Sequence, residues 1–136
     1  MFERVDHVGI AVHDLDASIA FYERAFGVEF TYRHKVEDQG VEEAMGRVGE
    51  SWIQLLMPLG PDTPVGRFLA SKGEGVHHIG YGVKDVHAAL AACDDAGLKL
   101  IDHAPRPGSR GASIAFIHPK SVGGVLTELV QEPDEA

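Results

Sequence analysis

Displaced by 71 positions, from His7 to His78, the sequence falls on itself. Val5, His7, Gly9, Val12, Asp14, Ala17, Ala20 and Ala25 land on Val76, His78, Gly80, Val83, Asp85, Ala88, Ala91 and Ala96, identical residue for residue. Chance at a single fixed offset gives far fewer matches, so the chain carries an internal duplication, and any fold it adopts must be two copies of one supersecondary unit. Each copy opens with an apolar strand, "VDHVGIAV" and "VHHIGYGV". Asp14 or Asp16 then offers a helix cap, ahead of Leu15, Ile19, Tyr22 and Phe26 at helical spacing, with Gly27 at the stop. Val86, Leu90, Cys93 and Gly97 take the corresponding places in the second copy. Cys93 there replaces a core tyrosine and reads as a small buried hydrophobe.

Three further strands are expected in each copy. "VEFTYRHKV", "VEEAMGRV" and "SWIQLLMP" are separated by "EDQG" and "GE"; "LKLIDHAP", "ASIAFIHP" and "VLTELVQE" are separated by "RPGSRG" and "KSVGG". The prediction is an α+β fold of two tandem βαβββ modules, about residues 3–58 and 76–132, within a single domain of residues 1–136. Between them, 59–75 holds a short helix, with Thr63-Pro64 as its start and Gly73 as its stop.

At 136 residues, with 44% hydrophobic and 24% charged content, such a chain can bury a real core. Its net charge of −9 argues against nucleic acid or an anionic membrane surface as the main partner. No stretch approaches membrane-spanning length and the N-terminus has no apolar signal core, so the cytoplasm is the expected location. One cysteine allows neither an internal disulfide nor a thiolate metal cluster.

Strand parity then explains the histidines. Side chains alternate faces along a strand, so Val8, Ile10 and Val12 share the face a helix covers, while His7, Gly9 and Ala11 share the other. His78, Gly80 and Gly82 repeat that arrangement opposite Ile79, Tyr81 and Val83. Small residues beside each histidine leave room for something to sit there. The last strand of each module adds a polar partner: Gln54 lies opposite Ile53, Leu55 and Met57, and Glu128 lies opposite Thr127 and Leu129. A carboxylate among Leu126, Leu129 and Val130 is costly to bury unless it is paired or holds a metal. A lone strand histidine is usually structural. Two at matched positions of a repeat, each with a polar partner in a matched strand, point instead to a divalent-metal site with open positions. His77 faces away by parity and reads as structural; His13, His34, His87, His103 and His118 lack such partners and read as surface or loop residues.

With these residues in place, the sequence resembles the vicinal oxygen chelate superfamily, glyoxalase-like proteins that pair βαβββ modules in a cupped eight-stranded mixed sheet around a divalent metal. Within it the chain is most similar to the methylmalonyl-CoA epimerase family, on "DHVGIAV", "QGVEE", "IQLL", "GVHHIGYGV" and "FIHPKSVGGVLTELVQ". That family's metal set of His, Gln, His and Glu falls on His7, Gln54, His78 and Glu128, the four that parity selects. Its catalytic glutamate falls on Glu43, which shares a strand face with Val41 and Met45, whereas Glu42 lies on the other face. The resemblance implies epimerisation of (R)- and (S)-methylmalonyl-CoA by proton abstraction at C2, through an enolate stabilised by the metal, with Glu43 and Glu128 as acid–base groups. It suggests cobalt, with manganese or zinc as alternatives, at one ion per chain, and a homodimer. Lys120 is the first candidate for the substrate's carboxylate or CoA phosphates, ahead of Arg106 and Arg110. The alternatives are a glyoxalase I-type isomerase, whose relatives usually carry Glu where this chain has Gln54, and a non-catalytic binding protein.

Overall fold

A computed structural model describes residues 1–134. The described elements are β1 (Arg4–Ala11), α1 (Leu15–Phe26), β2 (Phe30–Val36), β3 (Val41–Val48), β4 (Ser51–Pro58), α2 (Pro64–Lys72), β5 (Gly75–Gly82), α3 (Val86–Asp95), β6 (Arg106–Pro107), β7 (Ser113–Ile117) and β8 (Thr127–Gln131). The described chain divides into two compact units, His7–His77 and Met1–Asp6 with the residues from His78 onward. Their boundaries fall inside β1 and β5, immediately before the two repeated histidines.

In His7–His77 the strand order is β2-β3-β4-β1. β1 runs parallel to β4, and β3 is antiparallel to both β2 and β4. Asp14 caps α1 by accepting a hydrogen bond from the Ala17 amide at 3.0 Å, which satisfies one of the donors a helix start leaves open. Gly27 ends α1 in the left-handed region (φ 68°), where a side chain would be strained. The helix then covers one sheet face: Leu15, Ile19 and Tyr22 pack with Ile10, Val12, Ala44 and Leu55. Thr63 caps α2 through its hydroxyl, which accepts from the Gly66 amide at 3.0 Å, and Pro64 sits in the first turn. α2 packs Val65 and Leu69 onto Ala11, Val41 and Leu56, on the opposite sheet face. That face also carries His7, Gly9, Gln54 and Glu43. α2 therefore closes one end of it with apolar side chains and leaves the polar groups beyond.

In the second unit the order is β1-β5-β8-β7-β6, with Arg4–Asp6 as its part of β1 and the Glu3 amide donating to the Gly82 carbonyl at 2.8 Å. β5 is parallel to β8, and β7 is antiparallel to β8 and β6. Asp85 caps α3 from Ala88 at 3.1 Å, the duplicate of the Asp14 cap. Val86, Ala89, Leu90 and Cys93 pack with Ala115, Ile117 and Leu129, so Cys93 is the buried core residue its place in the repeat predicts. Two tandem βαβββ units are thus present, as expected, with the linker helix between Thr63 and Gly73.

One expected strand is displaced. "LKLIDHAP" forms no strand; Leu100 makes a single bridge to Ile117, and the ladder partner of β7 is the two-residue β6. The cause is Asp102. Its carboxylate accepts from the Phe116 amide at 2.8 Å, while the Ile101 and Asp102 amides both donate to the Phe116 carbonyl. A side chain has taken the place of a backbone acceptor, which ends regular pairing there. Among the described residues no helix is long and apolar enough to cross a membrane.

Candidate functional site

His7, Gln54, Glu43, His78 and Glu128 are all between 3% and 6% exposed, so five polar or ionisable side chains are withdrawn from water. Burial on this scale demands partners. Register shows how each unit groups its own.

In His7–His77, Gly9 pairs with Gln54 across the parallel β1–β4 ladder, and Met45 pairs with Gln54 across the antiparallel β3–β4 ladder. His7 lies one pleat before Gly9 and Glu43 one pleat from Met45, so His7, Gln54 and Glu43 share a face on three neighbouring strands. The glycine puts no side chain between His7 and Gln54. The Gln54 Nε2 donates to Glu43 Oε2 at 2.8 Å. The other end of that amide, Gln54 Oε1, is buried and has no hydrogen-bond partner. A buried carbonyl oxygen left unsatisfied calls for an explanation, and a cation bound at that oxygen is the one this site offers.

Glu42, one residue away, faces the other side of β3. It accepts from Arg33 Nε at 2.8 Å, and Arg33 also bonds Asp16 at 2.6 Å, so its charge is spent in a surface network. Those two carboxylates raise the pKa of the Arg33 guanidinium.

The other unit repeats the pattern. Gly80 pairs with Glu128 across the β5–β8 ladder, as Gly9 pairs with Gln54. His78 lies one pleat before Gly80, and its ligand nitrogen and a Glu128 carboxylate oxygen lie within 4.8 Å of each other. The His78 ring packs edge-on to Phe116, centroids 5.6 Å apart, and Phe116 is the cross-strand neighbour of Glu128. Each unit thus offers one imidazole with one oxygen donor, an amide in the first and a carboxylate in the second, the kinds of ligand that suit zinc, cobalt or manganese. The donor types fit a divalent cation.

His77 faces away, as expected. It packs against Phe68 at 5.0 Å, and burial lowers its pKa. His118 accepts from the Lys120 amide through Nδ1 at 3.1 Å and so caps a turn. Lys120 itself is exposed on that turn. The Arg106 guanidinium lies over the Phe116 ring at 5.4 Å, on the face that carries Glu128, and its Nε donates to Asp102 at 3.1 Å. Arg110 is not available to a ligand in the same way. Its Nη2 meets Asp6 Oδ2 at 2.6 Å and its Nη1 reaches Glu132 at 3.5 Å. Asp6, which no motif in the sequence marks, is fully buried and is bonded by Arg4 as well, at 3.2 Å. The one signal was a carboxylate on the apolar side of β1.

A family model described as the Glyoxalase/Bleomycin resistance protein/Dioxygenase superfamily matches residues 6–116. The ethylmalonyl-CoA/methylmalonyl-CoA epimerase of Cereibacter sphaeroides is 37% identical over 96% of this chain and 99% of its own. A solved structure of a methylmalonyl-CoA epimerase in complex with methylmalonyl-CoA and NH4+ superposes with a TM-score of 0.94 at 46% identity, covering 97% of this chain and 96% of the other. A variant of the Streptomyces coelicolor methylmalonyl-CoA epimerase, in complex with 2-nitronate-propionyl-CoA, reaches a TM-score of 0.95 at 45% identity over 98% and 100%.

Proposed function

Because the chain belongs to the methylmalonyl-CoA epimerase family of the glyoxalase/bleomycin resistance protein/dioxygenase superfamily, a family of isomerases, we propose that it interconverts the (R) and (S) forms of methylmalonyl-CoA with the help of one divalent cation per chain. The observation that carries this reading is the pairing of Glu43 with Gln54: a buried carboxylate held beside an amide whose oxygen has no protein partner.

In this reading His7 and Gln54 from one unit, and His78 and Glu128 from the other, hold the cation. A divalent cation bound there would supply Lewis-acid stabilisation of the negative charge that develops on the thioester oxygen as the C2 proton leaves. With a neutral amide as third ligand and one carboxylate as fourth, the net charge is about +1 by ligand counting, which favours an anionic intermediate more than a neutral centre would. Inversion requires acid–base groups on both faces of C2, and we assign them to Glu43 and Glu128. Glu43 takes or returns the proton without being a ligand. Glu128 combines both duties. Burial keeps bulk water from reaching C2 while the proton is off, so the proton delivered to the opposite face comes from the second carboxylate, which exchanges with solvent between turnovers. Arg106 and Lys120 are the cations assigned to the substrate's carboxylate and CoA phosphates. A homodimer in the cytoplasm completes the reading.

The test is to incubate a single methylmalonyl-CoA epimer with the metal-loaded protein in deuterated water. Inversion with one deuterium at C2 is expected. Glu43→Gln is expected to stop inversion at full metal content, while Glu128→Gln loses metal and inversion together. Absence of exchange with the wild-type protein overturns the epimerase reading, and turnover of a hemithioacetal instead favours a glyoxalase-type isomerase.

A further inference from the structure

We infer that Glu43 is also a positioning residue for the cation: it fixes which end of the Gln54 amide faces the metal. This rests on the cation site proposed above and concerns how one of its ligands is held.

An amide side chain has two ends of nearly equal shape and opposite chemistry. Its oxygen accepts and can ligate; its NH2 only donates and repels a cation. A glutamine ligand must therefore be told which way to turn. An ionised carboxylate has no hydrogen to give, so it can take only the NH2 end, and the Nε2–Oε2 contact of 2.8 Å shows that it does. The oxygen is thereby forced away from Glu43, and it is the atom left buried and unsatisfied. Both partners are nearly fully buried, so water cannot easily replace the carboxylate as acceptor. Without that acceptor the two amide hydrogens are orphaned, and the flip that returns them to the open side is the one that turns the oxygen away from the cation. A partner that orients a ligand in this way is typically worth about 10- to 100-fold in metal affinity.

The experiment is a Co2+ titration by calorimetry on the folded full-length protein. It uses the wild type, Glu43→Gln, Glu43→Leu, Gln54→Leu and the Glu43→Leu/Gln54→Leu double variant. Glu43→Gln can accept from Nε2 or donate to the Gln54 oxygen, so both orientations of Gln54 are satisfied and about half the molecules stay competent; it is expected to bind Co2+ within roughly threefold of wild type, although it is inactive. Glu43→Leu is expected to weaken binding by about tenfold or more. In the Gln54→Leu background, Glu43→Leu is expected to add nothing, because the ligand it positions is gone. If Glu43 acts only by drawing the cation with its charge, Glu43→Gln weakens binding as much as Glu43→Leu does. The loss then persists in the Gln54→Leu background, and either result overturns the inference. Should Glu43→Leu fail to fold, Glu43→Met removes the acceptor with an unbranched chain and is read in the same way. A wild-type protein that takes up no Co2+ overturns the cation site as well, which separates failure of that reading from failure of this one.

Discussion

Replacing Arg110 by Met isolates the charge that faces the buried end of Asp6. Methionine keeps an apolar stem of similar reach and removes the guanidinium. Asp6 is fully buried, and its Oδ2 lies 2.6 Å from Arg110 Nη2, an arginine only 15% exposed. Removing one partner of a buried ion pair costs about 3–5 kcal/mol, because the surviving charge stays desolvated. Arg4 still reaches the other carboxylate oxygen at 3.2 Å and is itself a quarter exposed, so the lower end applies, about 3 kcal/mol. For a chain of this length that corresponds to a fall in Tm of about 10 °C. Urea unfolding followed by circular dichroism measures the loss. The double variant Asp6→Asn/Arg110→Met is expected to recover part of it, because the stranded carboxylate is then gone. If Arg110→Met costs under about 0.5 kcal/mol, the pair behaves like a surface contact and the reasoning fails.

Three other outcomes follow from the site and the core. His7→Ala and His78→Ala should each lower metal content by elemental analysis, and with it the rise in Tm that added metal gives the wild type; full metal in both variants would break the ligand assignment. Gln54→Glu should keep or tighten metal binding while slowing inversion, since the net charge at the site drops from about +1 to about 0. A tenfold slowing is about 1.4 kcal/mol of lost transition-state stabilisation, and an unchanged rate at full occupancy would show that the neutral amide does not tune the site. Burial pushes the Cys93 thiol up, so Ellman's reagent should label it only after denaturant is added; rapid labelling of the native protein would contradict its place on the buried face of α3.

What the sequence disclosed, it disclosed through repetition. Asp14 and Asp85 cap their helices from equivalent amides, and Gly9 and Gly80 pair with Gln54 and Glu128 in equivalent ladders, so parity read in one copy could be checked in the other. The displaced strand near Leu100 was hidden because its alternation looked regular, and nothing local announces that the Asp102 side chain will take the Phe116 amide. The Asp6–Arg110 pair spans 104 positions, and a lone buried carboxylate does not name its partner. The Gln54–Glu43 bond is intermediate: both residues stand out in the sequence, but only the β3–β4 register brings Glu43 within one pleat of Gln54.

β1 serves both units, and this has a consequence for the growing chain. His7–Ala11 can find β4 once Pro58 has been made, whereas the same strand's Asp6 must wait for Arg110. At translation speeds of roughly 5–20 residues per second, that wait is about 3–10 seconds. During it the front of the strand, "RVD", is tethered to a folding neighbour with its own hydrogen-bonding edge unmet. Two of its three residues are charged, which makes the waiting segment a poor template for association with another nascent chain.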